Sequence, residues 1–150
     1  MHIETQSRER DAFPTANHRI DALSKLSEIK GFAYVATPYT KYKWGMAVAA
    51  KRAAAYTGEL IHGGVCALSP IAHGHAIAEA AHIDPSDFSF WLKADSGLMR
   101  SAEALIVIMM DGWRESAGVQ HEIAHFESAG KPIVYLEEFF FLDKDWRHKV

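Results

Sequence analysis

Two carboxylates stand where helical periodicity would put apolar side chains. In DFSFWLKADSGLMRSA (87–102), successive helical residues advance by about 100°. With Phe88 as origin, Leu92 falls at about 40°, Met99 at about 20° and Asp95 at about −20°, within the apolar stripe. Burying a carboxylate there without a partner is costly or raises its pKa. Two readings follow. Either Asp95 is held at a pocket wall for proton transfer or ligand binding, or the helix ends at Ala94 and Asp95-Ser96-Gly97 is a turn. In SAGVQHEIAHFESAG (116–130) the stripe is Val119, Ile123 and Phe126, and Glu122 lies about 60° from Val119, beside it. The helix start, Ser116-Ala117-Gly118, presents free N–H groups that attract anions. A glutamate near such a start is also favourable for stability alone.

The same segment contains His121-Glu122-Ile123-Ala124-His125, which matches H-E-x-x-H, the pattern of two zinc-binding histidines with a glutamate base. Helical geometry argues against it. His121 and His125 fall at about 200° and 240° from Val119, opposite the apolar face, so the ligands would point away from Glu122. The longer metal-protease motif needs a glycine and a third histidine where this chain has Ser128 and Lys131. Glu137 or Glu138 would have to serve instead. His73, His75 and His82 could form another site, but lone histidines near loops are more often hydrogen-bonded structural residues. A zinc hydrolase is the weakest reading, and no metal is expected.

These residues need elements to hold them. The chain has 150 residues, a net charge of −3 and 49% hydrophobic residues, which suits one globular domain. An acidic balance removes the positive field of a nucleic-acid binder. Lone Cys66 excludes an internal disulfide and a four-thiolate zinc site. No apolar run reaches the roughly 18–20 residues of a membrane span, and the polar MHIETQSRERDAF start lacks a secretory core, so a cytoplasmic location is expected. A mobile arm is predicted over 1–17 and a single α/β domain over 18–150. That domain opens with an amphipathic helix carrying Ile20, Leu23 and Leu26.

Strands are expected at 32–37, 65–70, 104–110 and 132–136, and a fifth in FFFL at 139–142. Helices are expected at 44–61, 87–102 and 116–130, with helix then loop over 73–85. The seven apolar residues of ALIVIMM (104–110) mark a strand buried on both faces. The alternation points to a single α/β domain with a parallel sheet of four to five strands flanked by helices. Ligands of such sheets bind at the carboxyl ends of the strands. Those ends carry Thr37-Pro38-Tyr39, Ser69-Pro70 and Asp111-Gly112-Trp113, so Thr37, Pro38, Tyr39 and Asp111 are candidate binding residues.

The order of motifs resembles the nucleoside 2-deoxyribosyltransferase-like superfamily. Tyr34-Val-Ala-Thr-Pro-Tyr39 is similar to its Y-[LIV]-A-x-P-Y opening. Asp95 ahead of Ser101-Ala-Glu-Ala-Leu-Ile-Val is a second match, and Ser116-x-Gly118-x3-Glu122-Ile-Ala before Gly130-Lys-Pro-Ile-Val a third. The resemblance covers residues 31–136 and is nearest to small members related to the deoxynucleoside-monophosphate N-glycosidases. It implies a flavodoxin-like (Rossmann-like) fold with a five-stranded parallel sheet, and cleavage of the N-glycosidic bond of a nucleoside or nucleotide, with no cofactor. Glu122 would be the nucleophile, Asp95 would handle the proton of the departing base, and Tyr34 would orient Glu122. Ser116 and the N–H groups near Gly118 would hold the sugar 5′ end, and a serine at 116 favours a 5′-phosphate. The loop after the first strand departs from the family pattern, lacking its glycines and arginine; Lys41 or Lys43 would replace the cation. Tyr39, Trp44 or Trp113 would stack on the base. The alternative on the same fold is a non-catalytic nucleotide-binding module. The expected partners are a small nucleoside or nucleotide and, from the FFFL cluster and the first helix, further copies of the chain in a dimer or tetramer.

Overall fold

A computed structural model of the chain describes residues 16–150. The arm expected over 1–17 therefore lies, up to residue 15, outside the described residues. Strand β3 (Ala104–Ile108) is buried at all five positions, and β1 (Ala33–Ala36) at all four. With β2 (Ala67–Leu68) and β4 (Ile133–Leu136) they form one sheet in the order β2-β1-β3-β4. Every pairing is parallel. Among the described residues five helices flank it: α1 (Ala16–Leu26), α2 (Met46–His62), α3 (Pro70–Ala81), α4 (Phe88–Ser101) and α5 (Ala117–Ser128). This is the expected single-domain flavodoxin-like arrangement.

The period of two along a strand divides the core. Val35, Ile106 and Ile108 face one side, where Leu23 of α1, Leu60 of α2 and the C-terminal Phe140, Phe141 and Trp146 cover them. Tyr34, Ala36, Leu105 and Val107 face the other, covered by Met99 of α4 and by Val119, Ile123 and Phe126 of α5. Helix cover on both faces is why the strands read as unbroken apolar runs. The second face carries Tyr34, Asp95 and Glu122 towards one another.

Two expectations change. Residues 139–142 are not a strand: they lie in a 3-10 helix, Glu138–Leu142. Adjacent Phe140 and Phe141 both enter the same core cluster, whereas a strand would send them to opposite faces. Phe141 stacks on Tyr56 with ring centroids 4.9 Å apart. The segment after β2 is helical earlier than expected. Ser69 Oγ accepts from the Ala72 N–H at 3.1 Å and Pro70 occupies the first helical turn, so α3 starts at once and runs to Ala81. The turn reading of Asp95 is also removed, since α4 is capped by Asp87 and continues past Asp95 to Ser101.

Candidate active site

A cavity of ≈ 210 Å³ opens where β1, α3, α4 and the start of α5 converge. Each wall follows from local sequence. The β1 period puts the Tyr34 side chain on the α4/α5 face, and the strand's exit delivers Thr37. On α4, Phe88, Leu92, Asp95 and Met99 share the stripe that their spacing requires, and all four line the cavity. On α5, Val119, Ile123 and Phe126 are buried in the core, while Glu122, a step to the side, reaches the cavity. The α5 start is fixed by Ser116, whose Oγ accepts from the Val119 N–H at 3.2 Å. Gly118 leaves space beside the carboxylate. A methyl group there would sit 3.7 Å from Glu122 Oε1 and 3.8 Å from Ser116 Oγ.

The charges are set by burial. Glu122 Oε2 is buried and has no hydrogen-bond partner. Desolvation, and secondarily the field of Asp95, holds the Glu122 carboxyl well above the usual glutamate range. Asp95 is also raised by burial, with His73 pulling the other way. Tyr34 is pushed up by burial first, then by Glu122 and by Asp95, so its phenol keeps its proton. The field of Asp95 adds to the cost of ionising Glu122, so the two carboxyls titrate as a coupled pair. Such a pair can supply an acid and a nucleophile or base at once. Thr37 Oγ1 is a second buried oxygen without a partner on the cavity wall.

Of the residues proposed from sequence, Tyr34, Thr37, Tyr39, Asp95, Ser116, Gly118 and Glu122 line this one cavity. Pro38 and Asp111 do not line it. Pro38 is buried, and Asp111 is half exposed at 3.9 Å from Lys43. The chain turns away after buried Met110 through Gly112, at φ 83°, which keeps Asp111 on the outside. That pairing occupies Lys43, whereas Lys41 lines the cavity. Trp44 is exposed, its ring 4.2 Å from Lys43 Nζ and 4.5 Å from Arg52 Cζ, and Trp113 packs on Tyr135 in a separate groove. Neither faces the cavity.

The two histidines of HEIAH separate. His121 lines the cavity, against the expectation that it points away from Glu122, and His125 packs edge-on against Phe126. Among the described residues no three His, Cys, Asp or Glu side chains are grouped to hold a metal, so the zinc reading lacks its third ligand.

Sequence reading gave no site role to two groups in the wall. His75 Nδ1 lies 2.5 Å from the Tyr39 hydroxyl. Trp91 is fixed by its Nε1–H donating to Asp84 O at 2.9 Å, with its ring against Gly74. The available signal was Gly74 inside a helical segment, where only a missing Cβ admits a ring that would approach it to 3.3 Å.

A family model described as a domain of unknown function (DUF1937) matches residues 31–138. The chain belongs to that family. No curated protein matches the chain. The DUF1937 match begins just before β1 and ends as the 3-10 helix after β4 begins, so it contains the whole sheet and every cavity residue named above. Helix α1 and the 3-10 helix Lys144–His148 lie outside the matched stretch.

Proposed function

We propose that this cavity cleaves or transfers the N-glycosidic bond of a 2′-deoxynucleoside or its 5′-monophosphate, with Glu122 as nucleophile. The supporting observation is the buried, unpartnered Glu122 carboxylate oxygen sharing one cavity with Asp95. A desolvated carboxyl that lines a cavity with no protein group competing for this oxygen is free to bond to a bound ligand. The reacting state has the pair's one proton on Asp95 and Glu122 as carboxylate: a Glu122 oxygen bonds to C1′ as the C1′–N bond breaks. The bonding pair leaves with the base, which takes a proton from Asp95. Water or a second base then attacks C1′, Glu122 departs as carboxylate, and Asp95 recovers a proton from the attacking group.

The charges suit this sequence. In the empty cavity Glu122 is costly to ionise, but positive character developing at C1′ favours its charged form in the transition state. Tyr34, kept protonated beside the pair, is suited to orient the carboxylate. At the other end, Ala117 and Gly118 N–H groups precede any intrahelical acceptor, and Ser116 can still donate its own hydroxyl proton. With Lys41 they make a reasonable 5′-phosphate cradle.

Incubating the protein with deoxynucleosides and their monophosphates, and separating free base by chromatography, tests the reading. Base should be released by the wild type and not by Glu122→Gln or Glu122→Ala. Unchanged turnover in either variant removes Glu122 as nucleophile. Nucleotide-dependent thermal stabilisation without base release would instead favour the non-catalytic binding module.

The proposal extends to setting and assembly. No helix among the described residues is long and apolar enough to cross a membrane. Cys66 is free and exposed, which suits a reducing, cytoplasmic compartment. Exposed Phe139 and Leu142 support a homo-oligomer, dimer or tetramer.

A further inference from the structure

Within the cavity that we read as a glycosyl-cleaving site, one hydrogen bond joins two side chains of the wall. Tyr39 and His75 both line the wall, and the Tyr39 hydroxyl lies 2.5 Å from His75 Nδ1. The opposite ring nitrogen, Nε2, is 3.9 Å from the Glu79 carboxylate. A carboxylate on that side favours the proton on Nε2, and Nδ1 is then an acceptor. Tyr39 must donate to it. The phenol can do so because burial and the field of Glu79 raise its pKa, so it keeps its proton. With its single proton engaged, Tyr39 has only oxygen lone pairs left for a ligand. The rings hold each other edge-on, with centroids 5.8 Å apart, which limits rotation of the hydroxyl away from this bond.

The wall carrying His75 also adjoins the proposed proton donor. The next residue back, Gly74, packs on the ring of Trp91, and Trp91 lies one helical turn before Asp95 on α4. The departing base has to reach Asp95, so its outer edge meets the Tyr39–His75 wall. The geometry points to Tyr39, polarised by His75, as an acceptor that selects bases bearing an exocyclic amino group, such as 6-aminopurine, over bases lacking that donor. Tyr39 is a specificity-determining residue, and His75 is a positioning residue that acts through it. This inference rests on the nucleoside reading of the cavity.

The test compares three 5′-monophosphates in Glu122→Gln protein, where turnover does not interfere, by isothermal titration calorimetry. They are 2′-deoxyadenosine, the unsubstituted purine 2′-deoxyriboside, which replaces the amino group by hydrogen, and 2′-deoxyinosine, which replaces it by a carbonyl oxygen. The adenine nucleotide should bind about tenfold more tightly than either of the others, the scale of one hydrogen bond plus an acceptor left unpaired. In Tyr39→Phe the preference should collapse to about twofold or less, and in His75→Ala, which frees the hydroxyl to rotate, it should shrink in the same direction. Unfolding midpoints of both variants show whether the fold is retained. Equal binding of all three nucleotides, tighter binding of the carbonyl-bearing base, or a full preference retained in folded Tyr39→Phe overturns the inference while leaving the glycosyl-cleaving reading intact. Failure of all three to bind overturns the inference, and the glycosyl-cleaving reading falls with it where no other deoxynucleoside or monophosphate binds.

Discussion

Replacing Glu122 by Gln keeps the side chain's shape and removes its charge, which separates what the residue costs from what it does. A carboxyl whose pKa rises on folding binds more protons folded than unfolded, between its ordinary value and its raised one. Stability therefore falls as pH climbs through that window, beginning at about 4.3 for glutamate. Glu122 is raised chiefly by burial, so this penalty is present at neutral pH. Glu122→Gln should melt about 2–4 °C above wild type at pH 7, the scale of ~1 kcal/mol in a domain of this size. The difference should vanish below about pH 4, where the glutamate is protonated in both states. Thermal unfolding across pH checks it, and a Gln variant less stable than wild type at pH 7 would contradict it. Asp95→Asn should lower kcat about 10²–10⁴-fold with ordinary bases and far less with a base that departs without protonation, as leaving-group kinetics would reveal. Asp95 and Glu122 were legible in the sequence because a charge on or beside an apolar helical stripe is conspicuous at one-residue resolution. Asp111 looked equivalent by its strand-end position, but the direction of its side chain depends on the turn at Gly112 and on Lys43, which no periodicity encodes. His75, read only as a hydrogen-bonded structural residue, carried no signal of a site role. Its significance lies in a bond to Tyr39, thirty-six residues away.

Among the elements, the loops after β1 and β3 meet where a Cβ on Gly112 would lie 2.6 Å from Lys41 O. Gly112 also has φ 83°, a conformation costly to other residues. Gly112→Ala should destabilise the fold by about 1–3 kcal/mol through strain and overlap. Because Lys41 lines the cavity, it should also raise KM for monophosphates more than for the matching nucleosides, which steady-state kinetics can separate. An equal rise for both would detach Lys41 from phosphate binding. A second close packing sits at the end of α2, where a Cβ on Gly63 would overlap the Trp146 ring at 2.3 Å. Gly63 caps the end of α2, and its contact with a ring eighty-three positions later has no signal in the sequence. The long helices and the doubly buried β3 were legible because many residues repeat one period. Phe139-Phe140-Phe141-Leu142 was misread as a strand because four apolar residues contain too little periodicity to distinguish a strand from a 3-10 helix.

For the whole molecule, the parallel sheet follows from strands buried on both faces, since only crossover helices can cover both sides. The sheet's four-strand extent and its C-terminal 3-10 cover depend on aromatic packing around Trp146, which a linear pattern does not convey. Two outward side chains on that cover, Phe139 at 62% and Leu142 at 81% exposure, are the natural place to test assembly. Sedimentation should give a dimer or tetramer, and Phe139→Asp with Leu142→Asp should shift it towards monomer; a wild-type monomer at micromolar concentration would contradict the proposed oligomer. The most direct test of the account is the mass of the intact protein after incubation with a 2′-fluoro-arabino nucleoside 5′-monophosphate, whose fluorine disfavours cationic character at C1′ and slows loss of the sugar. A gain of one fluorinated sugar phosphate, mapped by peptide analysis to Glu122 and accompanied by an equal amount of free base, is the predicted result. Free base from an unmodified protein, or an adduct on any other residue, would contradict it.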